Sequence, residues 1–269
     1  MAESEMLVLK DLHKTFNPGT VTEKKALSGV DLTLYKGDFV TVIGGNGAGK
    51  STMLNAIAGT FQVDSGAILI DGKDVTHLPE YKRAAFLGRV FQDPMTGTAA
   101  SMNIEENLAL AYRRGQHRGL RWGISPKERA LYREKLASLD LGLESRLGSK
   151  VGLLSGGQRQ ALTLLMSTFN PPKLLLLDEH TAALDPATSE KVLELTKSIV
   201  RDNRLTCLMI THNMQSALDL GNRTIMMHGG RIIYDVSGDT RNGLEVSDLL
   251  SQFKAAAGKD LDNDRMMLV

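Results

Sequence analysis

The sequence predicts an α/β fold built on a mostly buried mixed sheet, with helices on both faces and one long helical insertion. Two short apolar runs, Phe39–Ile43 and residues 174–177, lack polar alternation, as expected of strands that are buried on both faces. Each run is followed by a turn and then by a stretch with helical spacing, which is the order of a layered α/β fold. Helical spacing dominates residues 94–169, which therefore form the insertion.

Before the insertion, β-rich runs and turn residues predict strands and one helix. The helix follows the glycines that end the central strand, and Asp71-Gly72 predicts a turn after the next strand. The predicted strands are residues 7–12, 25–34, 39–43, 66–70 and 86–91, and the predicted helix is residues 50–58.

Within the insertion and after it, helical and strand patterns alternate again. Ser125 followed by Pro126 is typical of a helix start. The last stretch, from about Phe253, is polar and rich in methionine, so we expect it to fray. The predicted helices are residues 103–113, 126–139 and 186–201, and the predicted strands are residues 174–177 and 205–210 and a hairpin of residues 224–227 and 231–234 about Gly229-Gly230.

Composition limits the class of function. The chain has 269 residues, with 32 Lys and Arg against 31 Asp and Glu, so its net charge is only +1. A broad nucleic-acid footprint or a purely electrostatic membrane anchor would need a basic excess. The single cysteine, Cys207, excludes an internal disulfide framework and fits a reducing compartment. No apolar run approaches a membrane span and the N-terminus is acidic, so we expect a soluble, cytoplasmic protein that reaches a membrane only through another protein.

Residues 44–51 match the phosphate-binding pattern G-x-x-x-x-G-K-[ST], between a predicted buried strand and a predicted helix. Glycines let successive backbone N–H groups turn toward phosphate, and the N-terminal end of the helix attracts the anion. Lys50 is expected to reach the β- and γ-phosphates, the Ser51 hydroxyl to ligate Mg²⁺, and Thr52 to add a hydroxyl near the α-phosphate. The alternative is a glycine-rich turn without a ligand. The candidate ATP-binding residues of this loop are Gly44, Asn46, Gly47, Ala48, Gly49, Lys50, Ser51 and Thr52.

Two carboxylates, Asp178 and Glu179, end the apolar run of residues 174–177. In a parallel sheet, ligands collect at the carboxyl ends of the strands. Asp178 is placed there to hold Mg²⁺, directly or through water, and Glu179 to orient the attacking water as general base. The alternative is an ordinary acidic loop or helix start. The phosphate loop alone specifies a nucleotide but no reaction, because kinases, GTPases, helicases and transport ATPases all contain it.

A third motif, LSGGQ at residues 154–158, precedes Asp178 and opens a helical stretch. A serine hydroxyl, small residues and a helix N-terminus form a second phosphate site; the alternative is a glycine-containing helix start. With these motifs the chain resembles the ATP-binding cassette (ABC) family along nearly its whole length, and LSGGQ is the signature of that family. The resemblance implies an ATP-stabilised homodimer, paired head to tail, in which the signature of each subunit closes over the ATP of its partner. The signature residues assigned to ATP are Ser155, Gly156, Gly157 and Gln158.

The resemblance also implies a P-loop NTPase (RecA-like) core with an antiparallel β-subdomain and an inserted α-helical subdomain. It places the ABC ATPase domain at residues 1–255. The core and β-subdomain would occupy residues 1–92 and 170–255, and the helical subdomain residues 93–169. Residues 256–269 are expected to form a C-terminal tail.

Other positions match the family one at a time. Gln92 resembles the Q-loop glutamine, which senses Mg²⁺ and water and couples to the transmembrane partner, although a glutamine in a loop is by itself uninformative. His212 resembles the H-loop switch at the γ-phosphate, although a lone histidine is more often structural. Phe16 is the candidate for stacking on adenine, with core packing as the alternative. Residues 183–185 resemble the D-loop of the dimer interface, although the last of them, before Pro186, is by itself a helix start.

One position departs from the family pattern. The family usually has proline after the catalytic glutamate, whereas this chain has His180. The change removes a backbone constraint and adds a titratable group beside Glu179. It is either a neutral subfamily marker or a modulator, and we favour the marker. The string DEHTAALDP at residues 178–186 resembles a bacterial branch that works with separate permeases and binding proteins, often for uptake of aromatic amino acids or related small solutes.

The implied function is that of an ATPase subunit that couples ATP hydrolysis to solute transport, most simply uptake of a small solute such as an amino acid. Its partners would be a second copy, a separate transmembrane permease at the inner face of the cell membrane and, indirectly, an extracytoplasmic solute-binding protein, without nucleic acid. Alternatives are an exporter subunit, or a soluble ABC ATPase of translation or DNA repair, whose tandem cassettes and long coiled coils have no counterpart here. A kinase would leave LSGGQ unexplained. The cofactors would be ATP and Mg²⁺, the implied catalytic residues are Glu179, His212 and Gln92, and the implied metal ligands are Ser51, Gln92 and Asp178.

A basic segment inside the insertion has two interpretations. It is a contact surface for the permease or for lipid headgroups, or it is a solvated helix end and loop, which we favour. Met266-Met267, near the C-terminus, is expected to be a loose end, with a partner contact as the minor interpretation. The basic segment consists of Arg113, Arg114, His117, Arg118, Arg121 and Trp122.

Overall fold

The computed structural model describes residues 4–115 and 123–257, which fall into two compact units. Unit 1 comes from Met1–Phe86 and Leu205–Val269, and unit 2 is Leu87–Arg204. Four members of the basic segment and the methionine pair of the tail lie outside the described residues, namely His117, Arg118, Arg121, Trp122, Met266 and Met267.

Each strand and helix that the sequence predicts is present. The strands are β1 (Glu5–Phe16), β2 (Lys24–Tyr35), β3 (Phe39–Ile43), β4 (Ser65–Ile70), β5 (Lys73–Asp74), β6 (Leu87–Val90), β7 (Leu174–Asp178), β8 (Thr206–Ile210), β9 (Arg223–His228) and β10 (Arg231–Ser237). The helices are α1 (Lys50–Ala58), α2 (Glu80–Arg83), α3 (Ile104–Tyr112), α4 (Pro126–Ala137), α5 (Gly156–Thr168), α6 (Pro186–Asp202), α7 (Met214–Asp219), α8 (Gly238–Asn242) and α9 (Val246–Ala257).

Unit 1 contains strands of both antiparallel and parallel type. Four of its strands form an antiparallel sheet in the order β2-β1-β4-β5. The others follow the order β10-β9-β3-β8, in which β3 is parallel to both β8 and β9. Every residue of β3 and of β8 is buried, so the predicted central strand is confirmed. The hairpin predicted about Gly229-Gly230 is also present, as the antiparallel pair β9 and β10.

The end of α1 is fixed by a buried arginine. Gly59 follows the helix with a φ of 82°, and a Cβ there would lie 2.6 Å from Nε of Arg83. The Arg83 guanidinium donates to the carbonyl oxygens of Ala56 (2.7 Å) and Ile57 (2.9 Å), in the last turn of the helix, where carbonyl groups have no partner four residues further on. Arg83 is 1% exposed, and its burial lowers its pKa from the ordinary value. The side chain therefore holds the C-terminal end of the helix that begins at Lys50.

Unit 2 combines a parallel strand pair with packed helices. β6 lies parallel to β7, with Leu87 opposite Leu174. The predicted N-cap of α4 is confirmed, because Ser125 Oγ accepts from the backbone N–H of Glu128 (3.2 Å) and the Glu128 carboxylate accepts from the N–H of Ser125 (2.7 Å). The helices enclose a core that includes Ile104, Leu108, Tyr132, Leu136, Ala161, Leu162 and Leu165.

The expectation that the chain frays from about Phe253 is wrong at that residue. Phe253 lies in α9, is 2% exposed, and packs with Ile43 and Leu249. Its ring meets the ring of His228 edge to face at 5.9 Å. The sequence does contain a signal for this helix, because the apolar residues of α9 recur at helical spacing inside a polar stretch. Within residues 4–115 and 123–257, no helix is both long and apolar enough to cross a membrane.

Candidate nucleotide-binding site

The loop between β3 and α1 has a backbone that only glycine can form. Gly44, Gly47 and Gly49 have φ values of 152°, 79° and 101°. A Cβ on Gly44 would collide with the carbonyl oxygen of Met227, and a Cβ on Gly49 would lie 2.6 Å from the carbonyl oxygen of Ala26. Both the conformation and the space exclude a side chain at these two positions.

The start of α1 offers donors for an anion. Lys50 is 7% exposed, and its Nζ donates to the carbonyl oxygens of Gly44 (2.7 Å) and Gly45 (3.1 Å). Gly49 is the N-cap, no side chain caps the first turn, and that turn has no acidic residue. A buried ammonium and an uncapped helix N-terminus form a donor set that suits a polyphosphate. The cradle therefore fits the phosphates of a nucleotide.

Phe16, at the end of β1, belongs to a small aromatic cluster with a cation. Its ring meets the ring of Phe61 edge to face at a centroid distance of 5.3 Å. Lys14 Nζ lies 5.6 Å from the Phe16 centroid and 5.5 Å from the Phe61 centroid. Asp64 accepts a hydrogen bond from Lys14 at 2.8 Å, which lowers the pKa of Asp64 below its ordinary value. Phe61 therefore fixes the orientation of the partly buried Phe16 ring.

His212 follows β8 and is exposed, on a backbone that is fixed on both sides. Thr211 Oγ1 accepts from the N–H of Asn213 at 3.1 Å. Asn213 is the N-cap of α7, and its Oδ1 accepts from the N–H of Ser216 at 2.8 Å. The two flanking residues thus hold the backbone and leave the imidazole at the surface of unit 1.

In unit 2, Asp178 ends β7 and Glu179 follows it in an unusual conformation. Glu179 has a φ of 42°, in the left-handed region, which costs roughly 1–2 kcal/mol for a residue with a Cβ. The carbonyl oxygen of Glu179 accepts from the N–H of Ala182 at 2.9 Å, which closes a turn. Strained backbone of this kind persists only where the surrounding structure holds it in place, and it clusters at functional sites.

His180 lies inside unit 2, where its side chain is 1% exposed. Its Nε2 is 2.9 Å from Oγ1 of Thr196 on α6, and its Nδ1 has no hydrogen-bond partner among the residues described. Burial lowers the pKa of His180 to about 4, so the imidazole is neutral near neutral pH. His180 therefore places no charge beside Glu179 near neutral pH.

The signature residues form a capped helix start. Ser155 Oγ accepts from the N–H of Gln158 at 3.3 Å, and Gln158 Oε1 accepts from the N–H of Ser155 at 3.2 Å. A Cβ on Gly156 would lie 3.2 Å from Cδ2 of Leu184, in the segment that resembles the D-loop. Asp185, the last residue of that segment, caps α6 by accepting from the N–H of Thr188 at 3.1 Å.

Gln92 lies just after β6 and is exposed. The preceding carbonyl, of Phe91, accepts from Nε2 of Gln160 at 3.3 Å. Gln160 is fully buried on α5, and its Oε1 has no partner in the described part of the chain. The helix that begins at the signature thus holds the backbone next to Gln92.

The ABC transporter family profile matches residues 27–182, more than half of the chain. The chain belongs to the ABC transporter family. A tyrosine transport ATP-binding protein of Clostridioides difficile (strain R20291) is 45% identical over 256 residues, which cover 93% of this chain and 100% of that protein. A methionine import ATP-binding protein of Rhizobium johnstonii is 35% identical over 86% of this chain, but the chain spans only 61% of its length.

Solved structures agree with the family assignment. A dimeric ATP-binding cassette in a post-hydrolysis state, bound to ADP and Pi, is 30% identical with a TM-score of 0.74, over 86% of this chain and 98% of that one. A nucleotide-free cassette from an ABC transporter is 26% identical with a TM-score of 0.73, over 92% and 95%. The sequence-based predictions of the fold and of an ATP-hydrolysing ABC subunit are confirmed. The named relatives transport or import their solutes, which favours uptake over the export, translation and repair alternatives.

Several supporting residues of this ABC subunit were not found from the sequence. Gly230 donates its N–H to the carbonyl oxygen of Ala48 at 3.0 Å, so the turn of the β9–β10 hairpin supports the phosphate loop. The double glycine predicted only a turn. Phe61, which contacts Phe16, and Gln160, which holds the backbone next to Gln92, carry no motif, so no local signal indicates their contacts.

Two members of the basic segment have partners inside unit 2. Arg113 forms an ion pair with Glu128 at 2.8 Å. Arg114 donates to the carbonyl oxygens of Ser167 (3.0 Å) and Asn170 (2.9 Å), and burial lowers its pKa from the ordinary value. Both guanidinium groups are therefore engaged in contacts within the unit, and neither interpretation of the segment anticipated this.

Proposed function

We propose that this chain is the ATPase subunit of an importer of a small solute, with an aromatic amino acid such as tyrosine as the first candidate. The observation that carries the proposal is the 45% identity that extends over the whole length of a tyrosine transport ATP-binding protein. The transported solute would be recognised by other subunits. The residues of this chain would supply the energy of ATP hydrolysis.

The nucleotide would be held mainly by residues already described in unit 1. The loop of residues 44–51, with Thr52, would bind the phosphates, and Phe16 would stack on adenine. The resemblance assigns Mg²⁺ to Ser51, Gln92 and Asp178. Mg²⁺ prefers hard oxygen ligands and usually takes one or two carboxylates together with phosphate oxygens, so this donor set suits it. When bound, the ion would neutralise charge on the phosphates.

The remaining residues would act on the attacking water and the γ-phosphate. Glu179 would accept the proton of the water as general base, and its unusual backbone supports a functional role. His212, exposed on a fixed backbone, would contact the γ-phosphate. Gln92 would orient the water and report to the permease.

A second copy would complete each site. The signature helix α5 has no acidic residue in its first turn, which suits an approaching phosphate. Ser155, Gly156, Gly157 and Gln158 of one subunit would close over the ATP of the other, and a solved relative is a dimer. The permease would hold the pair at the inner face of the cell membrane, with an extracytoplasmic binding protein as an indirect partner. We also propose the ATPase domain of residues 1–255, with the helical subdomain at residues 93–169.

Glu179→Gln tests the base. We expect turnover to be lost and ATP binding to remain, so that the variant accumulates as an ATP-stabilised dimer in light scattering. Glu190→Gln, which changes an exposed glutamate of α6, is the matched control and should keep normal turnover. Normal turnover in purified Glu179→Gln would reject the base, and lone molecules with ATP and permease present would reject the dimer.

Mixed dimers test whether the site is shared. Ser155→Asp keeps an N-cap acceptor but places a negative charge against phosphate. In a head-to-tail pair, a dimer of one Lys50→Ala chain and one Ser155→Asp chain keeps one intact site. A dimer of one normal chain and one chain that carries both substitutions keeps none. Sites contained within single chains would give the opposite pattern. ATP retained per dimer, in a Glu179→Gln background, measures the outcome.

The direction and the solute need the whole complex. We expect the chain to co-purify with a membrane permease and a bound solute that mass spectrometry can identify. Uptake of labelled tyrosine by cells that lack the chain, compared with cells complemented by it, tests the first candidate. Unchanged uptake would reject tyrosine, and co-purification with ribosomes instead would favour the translation alternative.

A further inference from the structure

The turn that carries Glu179 needs an anchor outside itself. Glu179 has a left-handed φ of 42°, and the hydrogen bond from Ala182 N–H to Glu179 O closes the turn locally. A non-glycine residue keeps such a conformation only where the surrounding structure determines it. The nearest candidate is the adjacent side chain, His180, which leaves the turn and enters the interior.

The hydrogen bond of His180 has one possible direction. Thr196 Oγ1 donates its only hydrogen to the carbonyl oxygen of Val192 at 2.8 Å. Oγ1 therefore accepts from His180 Nε2–H at 2.9 Å, and the imidazole is the Nε2–H tautomer. Both side chains are buried, and leaving the donor without a partner would cost about 1–3 kcal/mol. The bond is thus a fixed link between the turn and α6.

We propose that His180 is a positioning residue for Glu179, because its hydrogen bond to Thr196 ties the turn to α6 and so holds the Glu179 carboxylate in the orientation used for hydrolysis. The inference rests on the proposed function, in which Glu179 is the general base. A neutral subfamily marker would not require a buried, directional contact to a helix. His180 replaces the backbone restriction of a proline with a side-chain tether.

Volume-conserving variants separate the hydrogen bond from packing. His180→Leu and Thr196→Val remove the bond and keep most of the volume. His180→Gln keeps an N–H donor, and Thr196→Ser keeps the acceptor. Thr168→Val is the matched control, since Thr168 is a buried threonine whose hydroxyl also donates to the carbonyl four residues earlier, at 2.8 Å, but it lies on α5.

Two measurements on the full chain report the role. In ATP hydrolysis, His180→Leu and Thr196→Val should lower kcat by roughly ten- to a hundredfold with KM and ATP affinity unchanged, because a misplaced base affects chemistry rather than binding. The double variant should fall no further than either single one. Without nucleotide, amide exchange of Ala182 should become faster in both variants. His180→Gln, Thr196→Ser and Thr168→Val should resemble the parent in both measurements.

The outcomes are distinct from those of the proposed function. Unchanged kcat and unchanged Ala182 exchange in folded His180→Leu and Thr196→Val would overturn the inference, as would an equal loss in Thr168→Val. Where His180→Leu does not fold, the comparison of Thr196→Val with Thr196→Ser decides. Full turnover in Glu179→Gln would instead reject Glu179 as the base, which is a failure of the proposed function. If Glu179 is the base, adding His180→Leu to the Glu179→Gln variant should cause no further loss of rate.

Discussion

Thr188 on α6 occupies the space that a side chain on Gly157 would need. A Cβ built on Gly157 collides with Cγ2 of Thr188, so α5 and α6 approach closely only because this position is glycine. Gly157 is the second glycine of the LSGGQ signature, and its contact lies within its own chain. The residue therefore has a packing role besides the proposed contact with the ATP of a partner.

Gly157→Ala should lower the free energy of unfolding by about 1–3 kcal/mol, because an added methyl group overpacks the helix contact. Thr188→Ser removes Cγ2, so the double variant Gly157→Ala with Thr188→Ser should recover most of the loss. Urea unfolding measures both. Gly148→Ala is the control, since a Cβ there meets no atom within 4 Å. An unchanged free energy of unfolding in the single variant Gly157→Ala would show that α5 and α6 move apart without a measurable cost in stability.

Lys50→Ala should abolish tight ATP binding. The ammonium, which donates to the carbonyl oxygens of Gly44 and Gly45 in the structure, would instead bind the β- and γ-phosphates when ATP is present. A charged hydrogen bond contributes about 1.5–3 kcal/mol, so loss of this contact should lower the affinity by roughly ten- to a hundredfold or more. Titration calorimetry measures the change. Lys36→Ala, which alters an exposed lysine, should bind ATP like the parent. An unchanged ATP affinity in Lys50→Ala would reject the phosphate-loop assignment.

Phe16→Ala should weaken ATP binding but not tripolyphosphate binding. Stacking of a base on an aromatic ring contributes about 1–3 kcal/mol, and tripolyphosphate has no base to stack. Phe61→Leu should cause a smaller loss for ATP, because Phe61 only orients the Phe16 ring. Equal losses for both ligands in competition binding would mean that Phe16 is a packing residue.

Local patterns predicted the elements that depend on neighbouring residues. The bounds of β3 and α1 match those expected from the sequence, because an apolar run followed by glycines and a helical pattern is a local signal. The phosphate loop, the signature and the acidic pair could be proposed from the sequence because each is contiguous. In contrast, α9 was missed, although Val246, Leu249, Leu250 and Phe253 recur at helical spacing, because the stretch around them is mostly polar.

Contacts between distant residues could not be predicted in this way. The N–H of Gly230 meets the carbonyl oxygen of Ala48, and Gln160 meets the carbonyl oxygen of Phe91, across long separations in sequence. Neither contact leaves a periodic or motif signal, because each depends on how strands and helices pack. The interior position of His180 is of the same kind, since only the fold brings α6 beside the turn.

Burial of His180 should make the protein less stable in mild acid. The pKa of His180 is lowered to about 4 in the folded chain, from an ordinary value of 6.5, so the unfolded chain binds a proton that the folded chain does not in this range. Stability is therefore full above pH 6.5 and falls as the pH is lowered toward 4, by about 3 kcal/mol in total. Urea unfolding between about pH 7 and about pH 4.5 measures how the free energy of unfolding changes with pH.

His180→Gln, which cannot take up the proton, should lose the part of this pH dependence that His180 causes, whereas His77→Gln, at an exposed histidine, should retain it. An identical slope in the parent and His180→Gln would show that another group causes the acid sensitivity.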